Sequence, residues 1–179
     1  MNWKKISSKY ISKHPYFTAK EDVCEMPNGH LVNPYYVVEL PNCVCAVAVT
    51  EDDKIVLVKQ YRHPIEQVIY ELPGGFIDEN EKPEQAIQRE LLEETGYSFT
   101  NVQHLGRVAA NPGILNNFTE LFLLTGGKKT TEQKLDDNEQ IEIILLTINE
   151  VKQLLKDNEI VQALHVSCLH YGLNYLKYV

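Results

Sequence analysis

The sequence predicts an α+β fold, an α/β/α sandwich around a mixed sheet, with a small antiparallel sheet at the N-terminus. Many short stretches have the strand pattern, and three stretches have the helical pattern. They do not alternate as they would in regular βαβ units. The 179 residues, 44% of them hydrophobic, are sufficient for one such domain with a small subdomain.

The first 40 residues are predicted to form the small sheet. They contain short alternating segments, and "PNGH" places a hairpin turn at Asn28-Gly29 before the β-rich "YYVVEL". We therefore expect an N-terminal β subdomain over residues 1–40 and a main domain over residues 41–179.

The strands of the main domain are predicted from apolar segments bounded by turn signals. A Gly-rich loop ends the third of them, and the irregular segment "NPGILNNF" separates the fourth from the fifth. In chain order they are "VCAVAVT", "KIVLVKQY", "VIYELPGG", "VQHLGRVAA", "TELFLLTGG" and "QIEIILLTI".

Three helices are predicted. The first begins at Pro83 and ends near Thr95, with Gly96 where a C-terminal glycine is expected. The second covers roughly residues 149–156, and an amphipathic third covers residues 159–177.

Composition excludes several classes of protein. A net charge of −8 argues against a nucleic-acid binder, because neutralising a phosphate backbone needs a basic surface. The four cysteines show no zinc-ligand spacing, and the six histidines form no spaced cluster, so we expect ordinary packing or surface positions for both. With no apolar signal core and no run long enough to span a membrane, we expect no membrane association and a cytoplasmic location.

The predicted helix from Pro83 carries acidic residues at the wrong end. Glu90, Glu93 and Glu94 lie in its last turns, where the macrodipole is already negative, and Glu90 and Glu94 repel each other at i,i+4. Arg89 can pair with Glu93 on the helix surface. A solvated charged face and a site for a hard divalent cation such as Mg²⁺ both remain open from the helix alone.

The spacing around this helix is more specific. From Gly75 the sequence runs through five residues to Glu81, then seven residues to "RELLEETGY", which matches G-x5-E-x7-R-E-U-x-E-E-x-G-U, where U is a bulky apolar residue. The chain thus resembles the Nudix hydrolases. The resemblance implies a Nudix α/β/α fold and a metal-dependent cleavage of a nucleoside diphosphate linked to another group, a small-molecule substrate.

The resemblance also implies roles for residues of the motif. Glu90 and Glu94 match the principal metal ligands, and Glu93 matches a further ligand or outer acid, which places Glu93 and Glu94 among the catalytic residues. The carbonyl of Gly74 matches another ligand, and Arg89 the arginine that orients a glutamate of the motif. Mg²⁺ is the metal implied, with Mn²⁺ as the alternative.

More of the chain is similar to the ADP-ribose pyrophosphatase branch, notably "QYRHPIEQVIYELPGG" and the proline at position 112. This likeness implies that Arg62 binds substrate phosphate or ribose, and Glu71 the adenine or nearby polar groups. Tyr61 is a candidate for base stacking or for core packing, and Pro112 a candidate at the substrate site. Glu139 matches an acid on a later loop, expected to act as extra metal ligand or as base.

The substrate that the resemblance implies is ADP-ribose or a close nucleoside diphosphate sugar, cleaved to a nucleoside monophosphate and a sugar phosphate. GDP-mannose or another nucleoside diphosphate derivative is an alternative, as is a non-catalytic domain that senses ADP-ribose. Members of this branch are commonly homodimers, and residues 1–40 could pack or swap across the pair.

Overall fold

The computed structural model describes residues 1–14 and 17–178 and divides them into two units. Met1–Pro41 and Ala109–Phe118 form the first unit, and the remaining described residues form the second. No helix of the described residues is long and apolar enough to cross a membrane.

The first unit is a three-stranded antiparallel sheet with an attached loop. Its strands lie in the order β1-β2-β3, and the predicted turn at Asn28-Gly29 joins the last two, with Gly29 at a φ of 81°. The loop of residues 109–118 joins this unit through a hydrogen bond from the Val38 N–H to the Ile114 carbonyl, 2.8 Å. The strands are β1 (Lys4–His14), β2 (Phe17–Glu25) and β3 (Leu31–Glu39).

The second unit is built on a seven-stranded mixed sheet. β4 pairs in parallel with β9 and antiparallel with β5, and all the other pairings in this sheet are antiparallel. The strands are β4 (Cys43–Thr50), β5 (Lys54–Arg62), β6 (Gln67–Glu71), β7 (Tyr97–Ser98), β8 (Asn101–Val108), β9 (Thr119–Lys129) and β10 (Ile141–Thr147). The helices are α1 (Pro83–Thr95), α2 (Ile148–Lys156) and α3 (Ala163–Tyr175).

Alternating side chains of the central strand β4 separate two cores. Cys45, Val47 and Val49 pack with residues of α2 and α3, whereas Val44, Ala46 and Ala48 pack with residues of α1. Because successive strand residues point to opposite faces, this division places α1 on one face of the sheet and the other two helices on the opposite face. The predicted α/β/α sandwich around a mixed sheet is confirmed.

The element predictions hold with local differences. The first helix has the predicted bounds, and the residue after it, Gly96, has a φ of 72° and donates its N–H to the Leu92 carbonyl, 2.9 Å. The last helix begins at Ala163, four residues later than predicted. Gln162 caps it by accepting the Leu164 N–H, 2.7 Å, and the preceding Ile160 is buried. The two-residue strand β7 was not predicted from the sequence.

Gly96 should be more sensitive to a side chain than Gly29, although both have positive φ. A Cβ at Gly96 would lie 2.1 Å from the Thr131 carbonyl oxygen, whereas a Cβ at Gly29 would meet nothing within 4 Å. Left-handed backbone alone costs roughly 1–2 kcal/mol for alanine, and overpacking adds about 1–3 kcal/mol. We expect Gly96→Ala to lower the free energy of unfolding, measured by urea denaturation, clearly more than Gly29→Ala. Equal losses would contradict the close approach at Gly96.

Candidate active site

The candidate site of the second unit begins where the Gly-rich loop after β6 approaches α1. The Gly74 N–H donates to Oε2 of Glu94, 3.0 Å, and a Cβ at Gly74 would lie 2.2 Å from the Val44 carbonyl oxygen. A Cβ at Gly75 would lie 2.5 Å from the carboxyl group of Glu90. Gly74 therefore allows the loop to lie against the backbone of β4, and Gly75 leaves room for the carboxyl group of Glu90.

Glu94 is a buried carboxyl on the sheet-facing side of α1. Ile87 and Leu91, one and two turns earlier, are fully buried and fix this side of the helix on the sheet. Burial first, and then the nearby carboxylates of Glu90, Glu139 and Glu71, together raise the pKa of Glu94 to about 8. The hydrogen bond from Gly74 acts in the opposite direction. A cation placed beside Glu94 would therefore strongly stabilise the ionised form of its carboxyl group.

Glu90 and Glu139 complete the acidic side of the site. Burial also raises the pKa of Glu90, although Arg89 opposes this shift, and the charges of Glu93 and Glu139 contribute to it. Glu139 lies on the loop before β10 and is exposed; its carboxylate accepts the Asp136 N–H, 3.1 Å. The loop thus brings a residue 45 positions beyond Glu94 close enough to perturb it.

Arg89 connects the acidic residues to one another. Its guanidinium donates two hydrogen bonds to Glu81, both 2.9 Å, one to Glu90, 2.9 Å, and one to Glu93, 3.1 Å. It also donates to the Phe76 carbonyl, 3.0 Å. The predicted pairing of Arg89 with Glu93 is confirmed. These contacts hold Arg89 charged and lower the pKa of Glu81.

The residues present provide oxygen donors suited to a hard divalent cation. Among the described residues, no group of three or more His, Cys, Asp or Glu side chains is arranged to hold a metal ion. Arg89 and the Gly74 N–H hold oxygens of Glu90, Glu93 and Glu94. The Gly74 carbonyl oxygen has no hydrogen bond within the described residues. The carboxyl groups of buried Glu94 and half-buried Glu90, beside a carbonyl without a hydrogen bond, match the oxygen ligands that Mg²⁺ takes, with water completing the shell.

A cavity of about 670 Å³ opens beside these acids. Such a volume suits a ligand of nucleotide size. Seven predicted site residues line it, and they come from four segments of the chain: Arg62, Gly74, Arg89, Glu90, Glu93, Glu94 and Glu139.

The cavity wall formed by β5 carries Arg62, which Glu71 holds in place. Glu71 is 2% exposed, and its carboxylate accepts hydrogen bonds from Arg62 Nε, 3.0 Å to Oε2, and from Gln60 Nε2, 2.7 Å. Arg62 Nη2 lies 2.8 Å from the same Glu71 oxygen. Glu71 thus contacts protein side chains and does not line the cavity, so its predicted contact with adenine stays a prediction.

Tyr61 and Pro112 are the remaining predicted substrate-binding residues. Tyr61 is exposed on β5 with its ring 6.2 Å from that of His63, and it is not among the residues that line the cavity. Pro112 belongs to the first unit, in the loop of residues 109–118. The predicted alternative of core packing for Tyr61 is wrong, because its ring is exposed on the strand. Base stacking by Tyr61 and a substrate contact by Pro112 stay predictions.

His165 lines the cavity, although only a packing or surface position was predicted for it. It is 8% exposed in the first turn of α3, and its Nδ1 accepts the Leu72 N–H, 3.2 Å. Burial, with the charge of Arg62, lowers its pKa to about 3, so the ring is neutral at physiological pH. Because Nδ1 is an acceptor, the proton of the neutral ring is on Nε2.

Comparison with known proteins agrees with this geometry. The model of the NUDIX domain matches residues 39–165, which contain the acidic helix and the cavity. The chain belongs to the Nudix family. Residues 3–38 match a second model, the nucleoside diphosphate sugar hydrolase N-terminal domain. Nudix hydrolases generally need a divalent metal ion.

Two bacterial Nudix relatives are similar over nearly the whole chain. A protein of Bacillus methanolicus named methanol dehydrogenase activator is 33% identical over 94% of this chain and 91% of its own length. The ADP-ribose pyrophosphatase of Bacillus subtilis is 32% identical over 94% of both chains. The crystal structure of an ADP compounds hydrolase superposes with a TM-score of 0.86 over 100% of this chain and 98% of the other, at 21% identity, which establishes the shared fold.

The raised pKa of Glu94 predicts a pH effect on the metal-free protein. Its pKa is about 8 when folded and near the ordinary glutamate value of 4.5 when unfolded, so folding favours the protonated form. This contribution to stability is fully present below pH 4.5 and is lost as the pH rises through 8. We expect the Tm in EDTA to fall between pH 7 and pH 9, and to fall less in Glu94→Gln, measured by differential scanning calorimetry.

Glu84→Gln provides the control for this pH series, because Glu84 is exposed on the same helix. The titration of His165 does not interfere, since its folded pKa of about 3 and the ordinary histidine value of 6.5 both lie below this pH window. The same slope in all three proteins would show that Glu94 does not titrate in this range.

Proposed function

We propose that the protein hydrolyses the pyrophosphate bond of ADP-ribose or a related nucleoside diphosphate sugar, with Mg²⁺ as cofactor. The observation that carries the proposal is the cavity lined by buried Glu94 and half-buried Glu90, whose charges repel each other, and by Arg62. The family match and the activity named for the Bacillus subtilis relative support the same reaction.

The proposed reaction adds water across one phosphoanhydride bond. Bound at Glu90, Glu94 and the Gly74 carbonyl, a divalent ion would neutralise the pyrophosphate and lower the pKa of the attacking water. Water attacks one phosphorus, the bridging P–O bond breaks, and the products are a nucleoside monophosphate and a sugar phosphate. Glu139 and Glu93, at the edge of the cavity, are the candidates for accepting the proton of the water.

Arg89 and Glu71 act through their neighbours in this proposal. Arg89 fixes the positions of Glu90 and Glu93, and Glu71 fixes Arg62 with its guanidinium at the cavity wall. Arginine held in this way can bind phosphate oxygens without first losing the freedom of a long side chain.

The test is turnover of a panel of compounds with Mg²⁺: ADP-ribose, GDP-mannose, other nucleoside diphosphate sugars and a nucleoside triphosphate. We expect a nucleoside monophosphate and a sugar phosphate from at least one nucleoside diphosphate sugar. Glu94→Gln should lose more than roughly hundredfold in kcat/KM, because replacing even an outer partner of a metal ligand typically costs roughly 10- to 100-fold.

Glu84→Gln, the same change on the exposed side of α1, should retain full activity. Glutamine can still accept the Gly74 N–H, so we expect Glu94→Gln to keep the wild-type circular dichroism spectrum. Full activity of Glu94→Gln would contradict its assignment as a metal ligand. Tight binding of ADP-ribose without turnover of any compound would instead indicate a sensing domain.

We further propose that the protein is a homodimer through its first unit. Large apolar side chains are exposed on this unit, among them Ile6 on 50% and Ile11 on 58% of their surface, and such exposure commonly marks an interaction surface. We expect the wild type to be a dimer by light scattering, and Ile6→Glu/Ile11→Glu to be a monomer. Leu145→Glu, which changes an exposed aliphatic residue of β10, should leave the dimer intact. A monomeric wild type would refute the proposal.

A further inference from the structure

Two hydrogen-bond donors of residues that line the cavity have no acceptor within the described residues. Nδ1 of His165 is occupied by the Leu72 N–H, and its protonated Nε2 has no partner within the described residues. The guanidinium of Arg62 faces Glu71 through Nε and Nη2, and its Nη1 has no partner in the same part of the chain. Both side chains line the cavity.

The unpartnered donor of His165 opens onto the cavity, because Nε2 is not among the polar atoms of the described residues that are both fully buried and without a partner. The side chain is more than nine-tenths buried, and a polar group in such a place normally has a hydrogen-bond partner. Its ring is fixed by the bond from Leu72, so Nε2 cannot turn towards another protein acceptor without breaking that bond. A ligand in the cavity is the partner that this geometry leaves open.

The surroundings of Nε2 favour an anionic oxygen as this partner. Arg62 is near enough for its charge to lower the pKa of His165. Gln162, Leu164 and His165, at the cap and in the first turn of the 13-residue helix α3, also line the cavity, so the positive end of this helix dipole lies there. A guanidinium, a neutral N–H and a helix N-terminus together match a phosphoryl oxygen better than a neutral hydroxyl group.

We propose that His165 Nε2 and Arg62 Nη1, beside the first turn of α3, form a subsite for a non-bridging phosphoryl oxygen of the substrate. The inference rests on the proposed function, because it takes the ligand to be a nucleoside diphosphate sugar. It assigns His165 as a substrate-binding residue that stays neutral and donates. The phosphate oxygens not taken by a metal ion at the acidic wall would then be bound from the side of β5 and α3.

Two substitutions distinguish the roles of the two ring nitrogens of His165. In His165→Asn the amide oxygen can take the place of Nδ1 and accept the Leu72 N–H, but no donor reaches the position of Nε2. In His165→Gln the longer amide can place an N–H near the position of Nε2. We expect His165→Asn to raise KM for the turned-over substrate about tenfold or more, as for a lost hydrogen bond to a charged group, with a smaller change in kcat.

The KM of His165→Gln should lie closer to that of the wild type than the KM of His165→Asn. A purely structural role would give the opposite order, because asparagine preserves the bond to Leu72 and glutamine does not. A KM within twofold of wild type for a folded His165→Asn would overturn the subsite, and so would the reversed order of the two variants.

A direct measurement needs no variant and no turnover. In wild-type protein labelled with ¹⁵N-histidine, with Mg²⁺ present, ribose 5-phosphate should shift the Nε2 resonance of His165, whereas ribose should not. No shift with ribose 5-phosphate, or an equal shift with ribose, would overturn the assignment of a phosphoryl oxygen. Hydrolysis of ADP-ribose by the same sample tests the proposed function separately, so the two can fail independently.

Discussion

The site depends on the repulsion between carboxylates that the fold forces together. Glu94 lies on the sheet-facing side of α1 because Ile87 and Leu91 fix that side in the core, and Glu90 is one turn away. Burial removes the water that would otherwise screen their charges, which is why the pKa of both is raised. The protein opposes this cost with the guanidinium of Arg89 and one backbone N–H.

Arg89 and the Gly74 N–H stabilise the ionised carboxylates only in part, and this incomplete stabilisation leaves the site open to a cation. Arg89 is shared among three glutamates, whereas within the described residues the Glu94 carboxyl accepts only the Gly74 N–H, and its raised pKa keeps a proton on it near neutral pH. Had Glu94 an arginine of its own, a cation would have to displace a salt bridge in order to bind there. A divalent ion that binds at Glu94 has to displace only a proton. An acidic protein can in this way hold a substrate that is itself an anion.

Sequence reasoning succeeded where local spacing determines structure. The bounds of α1, the hairpin at Asn28-Gly29 and the Arg89–Glu93 pair follow from rules that operate within a few residues. It did not find the bond between Arg62 and Glu71, because this bond depends on the register of β5 against β6. The register places Glu71 opposite Val58, on the same face of the sheet as Gln60 and Arg62. The start of α3 was also misplaced, since the helical pattern of apolar residues extends back to Ile160, which is buried although it precedes the helix.

His165 shows why the donor side of the cavity is hidden from the sequence. It is 71 residues from Glu94 and belongs to no motif, and its apolar neighbours make it resemble a residue of the helix core. Its position becomes meaningful only because β6 ends beside the first turn of α3, so that the Leu72 N–H, immediately after Glu71, fixes the imidazole. Two consecutive residues at the end of β6 therefore orient both donors, since Glu71 holds Arg62 and Leu72 holds His165. One short segment of backbone thus determines the wall that faces the acidic helix, and small shifts of that segment would move both donors together.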